Sequence, residues 1–105
     1  METLQQRIVK DNLDIVILAR LQGEKATGYE IMRCLHSSFD LMISPSIVYS
    51  ALYSMERKGL IAGNEDCWGR TYQLTDKGQE TLVSLASSVD SLTDFFRKIL
   101  VPVSK

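Results

Sequence analysis

Ser44 followed directly by Pro45, with Gly59 further on, limits the folds open to this chain more than any other feature. A Ser N-cap ahead of a Pro at the first helical position is a strong helix start, because Pro lacks only an N–H that the first turn leaves unpaired anyway. Gly59 then ends the helix at the position where left-handed backbone is wanted. Between the two signals Val48, Ala51, Leu52 and Met55 form one apolar stripe. Ser46, Tyr49, Ser50, Tyr53 and Arg57 fall on the opposite face at spacings of three and four. The chain therefore contains a half-buried helix of defined length whose open face offers hydroxyls and a cation.

Other signals place the remaining elements around this one. Thr3 with Gln6 fits a capping box, and Leu4, Ile8, Ile15, Leu18 and Leu21 continue at helical spacing, predicting a first helix over residues 3–21. Asp11-Asn12 offers a second N-cap, where that helix would start anew or kink. Thr27-Gly28-Tyr29-Glu30 is another capping box and opens a second helix with Ile31, Met32 and Leu35 inward. After Gly59, Leu60-Ile61-Ala62 and Thr71-Tyr72-Gln73-Leu74 read as short strands joined by the polar stretch Gly63–Arg70, a loop longer than a tight turn. Thr75-Asp76 caps a last long helix running to about Leu100, ahead of Pro102.

The chain of 105 residues is 45% apolar and 24% charged, which suits one globular domain. Its longest apolar run, Ile15 to Ala19, is far below the ~20 residues of a membrane span. The first residues lack an apolar signal-peptide core, and Cys34 and Cys67 form neither a disulfide framework nor a zinc pattern, so we expect a cytoplasmic protein without a metal. The formal charge is −1, with seven basic and seven acidic groups in residues 1–58 and five and six in the remainder. Binding to nucleic acid would rest on a few placed cations rather than a strong overall field.

Three helices, a hairpin and a long helix make the winged helix-turn-helix arrangement, mainly α with a small β-hairpin (α+β). At this point the sequence resembles the PadR family of transcriptional regulators. The resemblance rests on Leu18-Ala19-Arg20-Leu21, on Gly28-Tyr29-Glu30-Ile31, and on Ser44-Pro45 with Val48-Tyr49 and Leu52. It continues through Glu56-Arg57-Lys58-Gly59-Leu60-Ile61 to Tyr72-Gln73-Leu74-Thr75-Asp76-Lys77-Gly78. The family usually has Gly and Thr after the Ser-Pro and Pro after the Tyr, where this chain has Ser46, Ile47 and Ser50. Its wing reads Asn64-Glu65-Asp66-Cys67-Trp68-Gly69-Arg70 in place of an Arg- and Gly-rich loop.

In such a fold the third helix reads base edges in the major groove, and phosphate contacts hold its register. Ser44, Ser46, Tyr49, Ser50 and Tyr53 would supply hydroxyls, Arg57 and Lys58 cations, and Thr27, Gly28 and Tyr29 a phosphate-binding helix N-terminus. Arg70 and Thr71 lie where a wing reaches the backbone. Each has a plainer alternative: the tyrosines pack as half-buried rings, and Arg57 and Lys58 complement the helix dipole. Glu65 and Asp66 would be repelled by phosphate. Trp68 is a lid on the core or a partner contact, Cys34 a packing residue, and Cys67 an exposed thiol.

The last helix carries Leu82, Leu85, Val89, Leu92, Phe96 and Ile99 at steps of three and four, a heptad seam. A helix of about 37 Å is longer than a small winged domain can cover, so the seam is assigned to a partner protomer, with the first helix completing the interface. The expected organisation is a DNA-binding domain over residues 1–75, a dimerisation helix over 76–100 packed on the same domain, and a tail over 101–105. His36 has no Cys or carboxylate partner close in sequence, and no phosphate loop, HExxH or GxSxG occurs, which disfavours an enzyme and leaves no cofactor to assign. The expected function is a homodimeric, sequence-specific DNA-binding regulator, in the resembled family most often a repressor. The alternative is a winged-helix interaction module with weak or lost DNA binding. The resemblance also implies a small-molecule effector, of unknown identity here.

Overall fold

The computed structural model describes residues 2–67 and 69–101. They form helices α1 (Leu4–Asp11), α2 (Leu13–Arg20), α3 (Gly28–Phe39), α4 (Pro45–Arg57), α5 (Asp76–Ala86) and α6 (Val89–Leu100), with strands β1 (Ala26–Thr27), β2 (Ile61–Asp66) and β3 (Gly69–Leu74). This is a winged helix-turn-helix, mainly helical with one antiparallel sheet ordered β1-β3-β2.

The expected capping signals act where the sequence puts them. Thr3 and Thr27 each accept the amide of the residue three positions on, and Gln6 and Glu30 return the bond to the cap amides. The first predicted helix is two, because Asn12 leaves helical geometry and its side-chain amide donates to the Ile8 carbonyl at 2.9 Å. A side chain that takes a main-chain acceptor offers the backbone an alternative to the helical bond. Gln6 reaches further. Its amide nitrogen donates to the carbonyls of Phe39 and Asp40, each at 3.1 Å, and so ties α1 to the end of α3.

Aliphatic side chains from three helices make the centre of the core. Ile17 and Leu18 of α2, Ile31 and Leu35 of α3, and Val48 and Leu52 of α4 are all but inaccessible to solvent. No polar or charged side chain other than the Tyr72 phenol is buried among the described residues. Burial of this kind stabilises by roughly 1.5–3 kcal/mol per large side chain relative to exposure.

Two departures from expectation concern the ends of the hairpin and of the chain. The strands are longer than predicted: Ile61 pairs with Leu74 and Asp66 with Gly69, leaving only Cys67 and Trp68 between them. Polar Asn64, Glu65 and Asp66 join the ladder because an exposed hairpin needs backbone pairing, not apolar side chains, to continue. β1, which pairs Ala26 with Tyr72 and Thr27 with Thr71, is too short to have carried a periodic signal.

The single helix expected over residues 76–100 is divided at Ser87-Ser88. The hydroxyls of Ser87 and Ser88 both donate to the Ser84 carbonyl, at 2.7 and 3.3 Å, and the Ser88 amide turns to Leu85 instead. Serine back-bonding of this kind interrupts the helical ladder. α5 packs Leu82 and Leu85 on the core margin, whereas no residue of α6 reaches the core or its margin. The molecule is drawn out to 62 Å along its longest axis. α6 ends at Leu100; Pro102 and the rest of the expected tail lie outside the described residues, as does Trp68.

α4 closes with the Gly59 amide bonded to Glu56 and the Leu60 amide to Met55, Gly59 having φ +78°. These are the paired bonds of a Schellman end. Thr75 locks the junction, accepting the Gly78 amide, donating to the Gly59 carbonyl, and giving its own amide to Leu60. Thr75→Val keeps the shape and removes both side-chain bonds. It should cost about 1–2 kcal/mol and lower Tm by roughly 5–10 °C in a thermal melt.

Candidate nucleic-acid interface

The rotation of α4 about its own axis is set by what it buries. Val48, Leu52 and Met55 face the core, so Ser46, Tyr49, Ser50, Tyr53 and Arg57 all emerge on the open side, with Ile47 among them. Ser44 precedes the helix without a side-chain capping bond; its hydroxyl lies 3.3 Å from that of Ser46. Tyr53 is 64% exposed and carries the Arg57 guanidinium 5.7 Å from its ring centroid. That contact holds the cation on the open face instead of letting it trail from the helix end. Lys58 caps the helix with its side chain exposed, and its carbonyl accepts from the Lys77 ammonium at 2.8 Å.

Tyr49 joins two parts of the expected surface. Its ring lies over Gly28, where an added Cβ would sit 2.6 Å from the phenol oxygen. The ring therefore packs on the first turn of α3 while remaining 45% exposed. Packing and presentation, the two readings of this residue, coexist.

The N-terminus of α3 is less open to an anion than its position suggests. The Thr27 amide donates to the Glu30 carboxylate at 2.9 Å, and the Glu30 amide to the Thr27 hydroxyl at 3.1 Å. A carboxylate already occupies the favourable end of the helix dipole. The bond from the Thr27 backbone, helped by the Thr27 side chain and by Arg20 and Arg33, holds the Glu30 carboxyl below the usual carboxylate range. Tyr29 stands beside it, exposed, with Arg33 6.0 Å from its ring centroid.

On the wing, Arg70 is exposed but turns toward α4. It donates to the Glu56 carboxylate at 2.6 Å, lies 3.9 Å from the Glu65 carboxylate, and covers the Tyr72 ring at 5.7 Å. The bond to Glu56 raises the Arg70 pKa still further, and burial together with Glu56 raises that of Tyr72. Thr71 makes a long bond of 3.4 Å to the Asn64 carbonyl. A groove of about 460 Å³ runs between α4 and the wing, lined by Tyr49, Tyr53, Glu56, Arg57, Arg70 and Tyr72. Glu56 carried no functional signal in the sequence. Only the hairpin register brings β3 across the last turn of α4 and so Arg70 onto it.

The heptad residues divide between two surroundings. Leu82 and Leu85 belong to this chain's own core margin, and Phe96 is half-buried, its ring 5.7 Å from that of Phe95. Val89, Leu92 and Ile99 are each more than half exposed, as are Phe95 and Leu100. Leu4, Ile8 and Ile15 add exposed apolar surface on α1 and α2. Cys34 is half-buried, its sulfur 3.8 Å from the Ser38 hydroxyl, Cys67 is exposed, and His36 lies exposed in the last turn of α3. Among the described residues no cluster of His, Cys, Asp or Glu is arranged to hold a metal, and no helix is long and apolar enough to cross a membrane.

Comparison with known proteins agrees with this fold. A family model described as the transcriptional regulator PadR-like family matches residues 17–84, from α2 into α5. A PadR family transcription regulator from Clostridium difficile R20291 is 26% identical, with 84% of this chain and 97% of that chain covered and a TM-score of 0.75. A PadR-like transcriptional regulator from Bacillus cereus strain ATCC 14579 is 25% identical over 92% of this chain and 99% of that chain, with a TM-score of 0.76. A transcriptional regulator from Clostridium thermocellum, 22% identical over 93% and 99% of the two chains, shares the fold with a TM-score of 0.79. No curated protein matches the chain.

The Glu30 cap makes stability depend on pH in a defined direction. A carboxyl held below its ordinary value contributes stability above that value and loses it as pH falls through the depressed one. Glu30→Gln can keep the bond to Thr27 but has no charge to lose. Wild type should melt above the variant at pH 6–7, and the gap should close on acidification below the ordinary carboxylate range, as thermal melts across pH would read.

Proposed function

The chain belongs to the PadR-like family of transcriptional regulators, and on that premise we propose that it acts as a homodimeric, sequence-specific DNA-binding repressor in the cytoplasm. The observation that carries this reading is the open face of α4. Its serines, two tyrosines and Arg57 stand clear of the core on one side of one helix, which is what insertion into a major groove requires. The wing would lie along the adjacent backbone. In the dimer, Val89, Leu92, Phe96 and Ile99 of α6 would be covered by a second copy, with Leu4 and Ile8 contributing. Two-fold symmetry would then set the paired α4 faces about 34 Å apart, or a multiple of it.

The second reading, an interaction module with weak DNA binding, draws on one specific observation. Glu30, Glu56 and Glu65 each set a carboxylate against a group expected to meet phosphate. With Arg70 paired, Arg57 and Lys58 remain, so a dimer would neutralise about four phosphates and show a log–log salt slope of about −3.6.

Titration of wild type, Arg57→Ala and Tyr49→Phe against a footprinted upstream duplex and a scrambled one, at several salt concentrations, separates the readings. Arg57→Ala should weaken binding to both duplexes alike and flatten the slope, since a phosphate contact carries no sequence information. Tyr49→Phe should alter the preference between them. Equal binding of wild type to both duplexes at every salt would favour the interaction module. For assembly, Leu92→Asp should sediment as a folded monomer where wild type is a dimer, because a charge in a covered apolar contact is strongly disfavoured. An unchanged dimer would remove α6 from the interface.

A further inference from the structure

The wing cation lies in the groove it shares with Tyr49, Tyr53 and Arg57, and there it is paired with a carboxylate of α4. Arg70 Nη2 donates to Glu56 Oε2 at 2.6 Å, and Arg70 Nη1 is 3.9 Å from Glu65 Oε1. The guanidinium lies against β2 at Gly63, where no side chain stands in its way. A Cβ on Gly63 would stand 2.7 Å from both Nε and Nη2 of Arg70. The Tyr72 ring supports it from beneath. Two carboxylates, a glycine gap and an aromatic platform thus converge on one cation. It remains at the surface, with its side chain 41% exposed.

We propose that Glu56 is a restraining residue for nucleic-acid binding: it holds Arg70 in the crease between α4 and the wing and keeps that cation from a phosphate. The inference rests on the DNA-binding reading above. Glu56 is itself the less exposed partner, 23% against 41%, and is anchored on a helix, so it is Arg70 that moves when the pair opens. An exposed pair of this kind is held by a small free energy. A phosphate placed nearby competes directly with the carboxylate for the same bidentate donor. DNA affinity is therefore set below what the cations of the surface allow, and selectivity is left to the hydroxyl face of α4.

The test is a cycle of Glu56→Gln, Arg70→Gln and the double variant, with Gly63→Ala beside them, titrated against the footprinted and scrambled duplexes. Glu56→Gln should bind both duplexes roughly three- to tenfold more tightly at low salt, and the slope should steepen by about 0.9 for each protomer. In the Arg70→Gln background the same substitution should give almost no gain. Gly63→Ala, which displaces the guanidinium without touching any charge, should shift binding in the same direction. A gain from Glu56→Gln that survives without Arg70 would overturn the inference and leave only a deleted negative charge. So would absence of any gain from both Glu56→Gln and Gly63→Ala. If wild type itself does not distinguish the duplexes, the DNA-reading proposal fails instead, and the two failures are told apart by that control.

Discussion

At the end of α4 the chain turns back on itself through the amides of Gly59 and Leu60, bonded to Glu56 and Met55, and two elements take their direction from that turn. β2 leaves from it. α5 begins against it, because Thr75 bonds to both Gly59 and Leu60, and Lys77 reaches the Lys58 carbonyl. The end of α4, the wing and the start of the C-terminal helices are therefore referred to one small set of backbone bonds. The relation between α4 and the wing is fixed locally, without needing a large interface between them.

Much of this frame was legible as punctuation. Thr3, Thr27, Ser44-Pro45, Gly59 and Thr75 each mark a boundary that the structure keeps, because caps and stops act within a single turn and need no knowledge of the rest of the fold. The stripe of Val48, Leu52 and Met55 likewise fixed in advance which side of α4 would be open. What could not be read depends on partners distant in sequence. β1 exists only because β3 arrives beside it, and Arg70 is paired only because the hairpin register carries it over Glu56, fourteen residues away. Ser87 and Ser88 are polar residues in the sequence. Whether their hydroxyls face solvent or take a main-chain carbonyl is a rotamer choice that composition does not reveal.

Electrostatically the candidate surface is close to balanced, and that agrees with a chain whose formal charge is −1. Glu30 serves the end of α3, and Glu56 and Glu65 face Arg70, so the acidic groups are structural members before they are repulsive ones. A surface of this kind gives weak long-range attraction. On the proposed reading, discrimination would fall to short-range contacts, in which a hydroxyl or an aromatic edge meets one base and not another.

The serine break between α5 and α6 acts as the fulcrum of a lever. α6 is 12 residues long, so its far end is about 18 Å from the break, and a swing of some 10° there carries the tip through about 3 Å. Whatever surface meets α6 inherits that displacement, amplified again across the whole molecule. Two small hydroxyls and one carbonyl thereby set the direction of α6. Exchanging Ser87 or Ser88 for alanine would change the angle at which α6 leaves α5, with no change to the sequence of α6 itself.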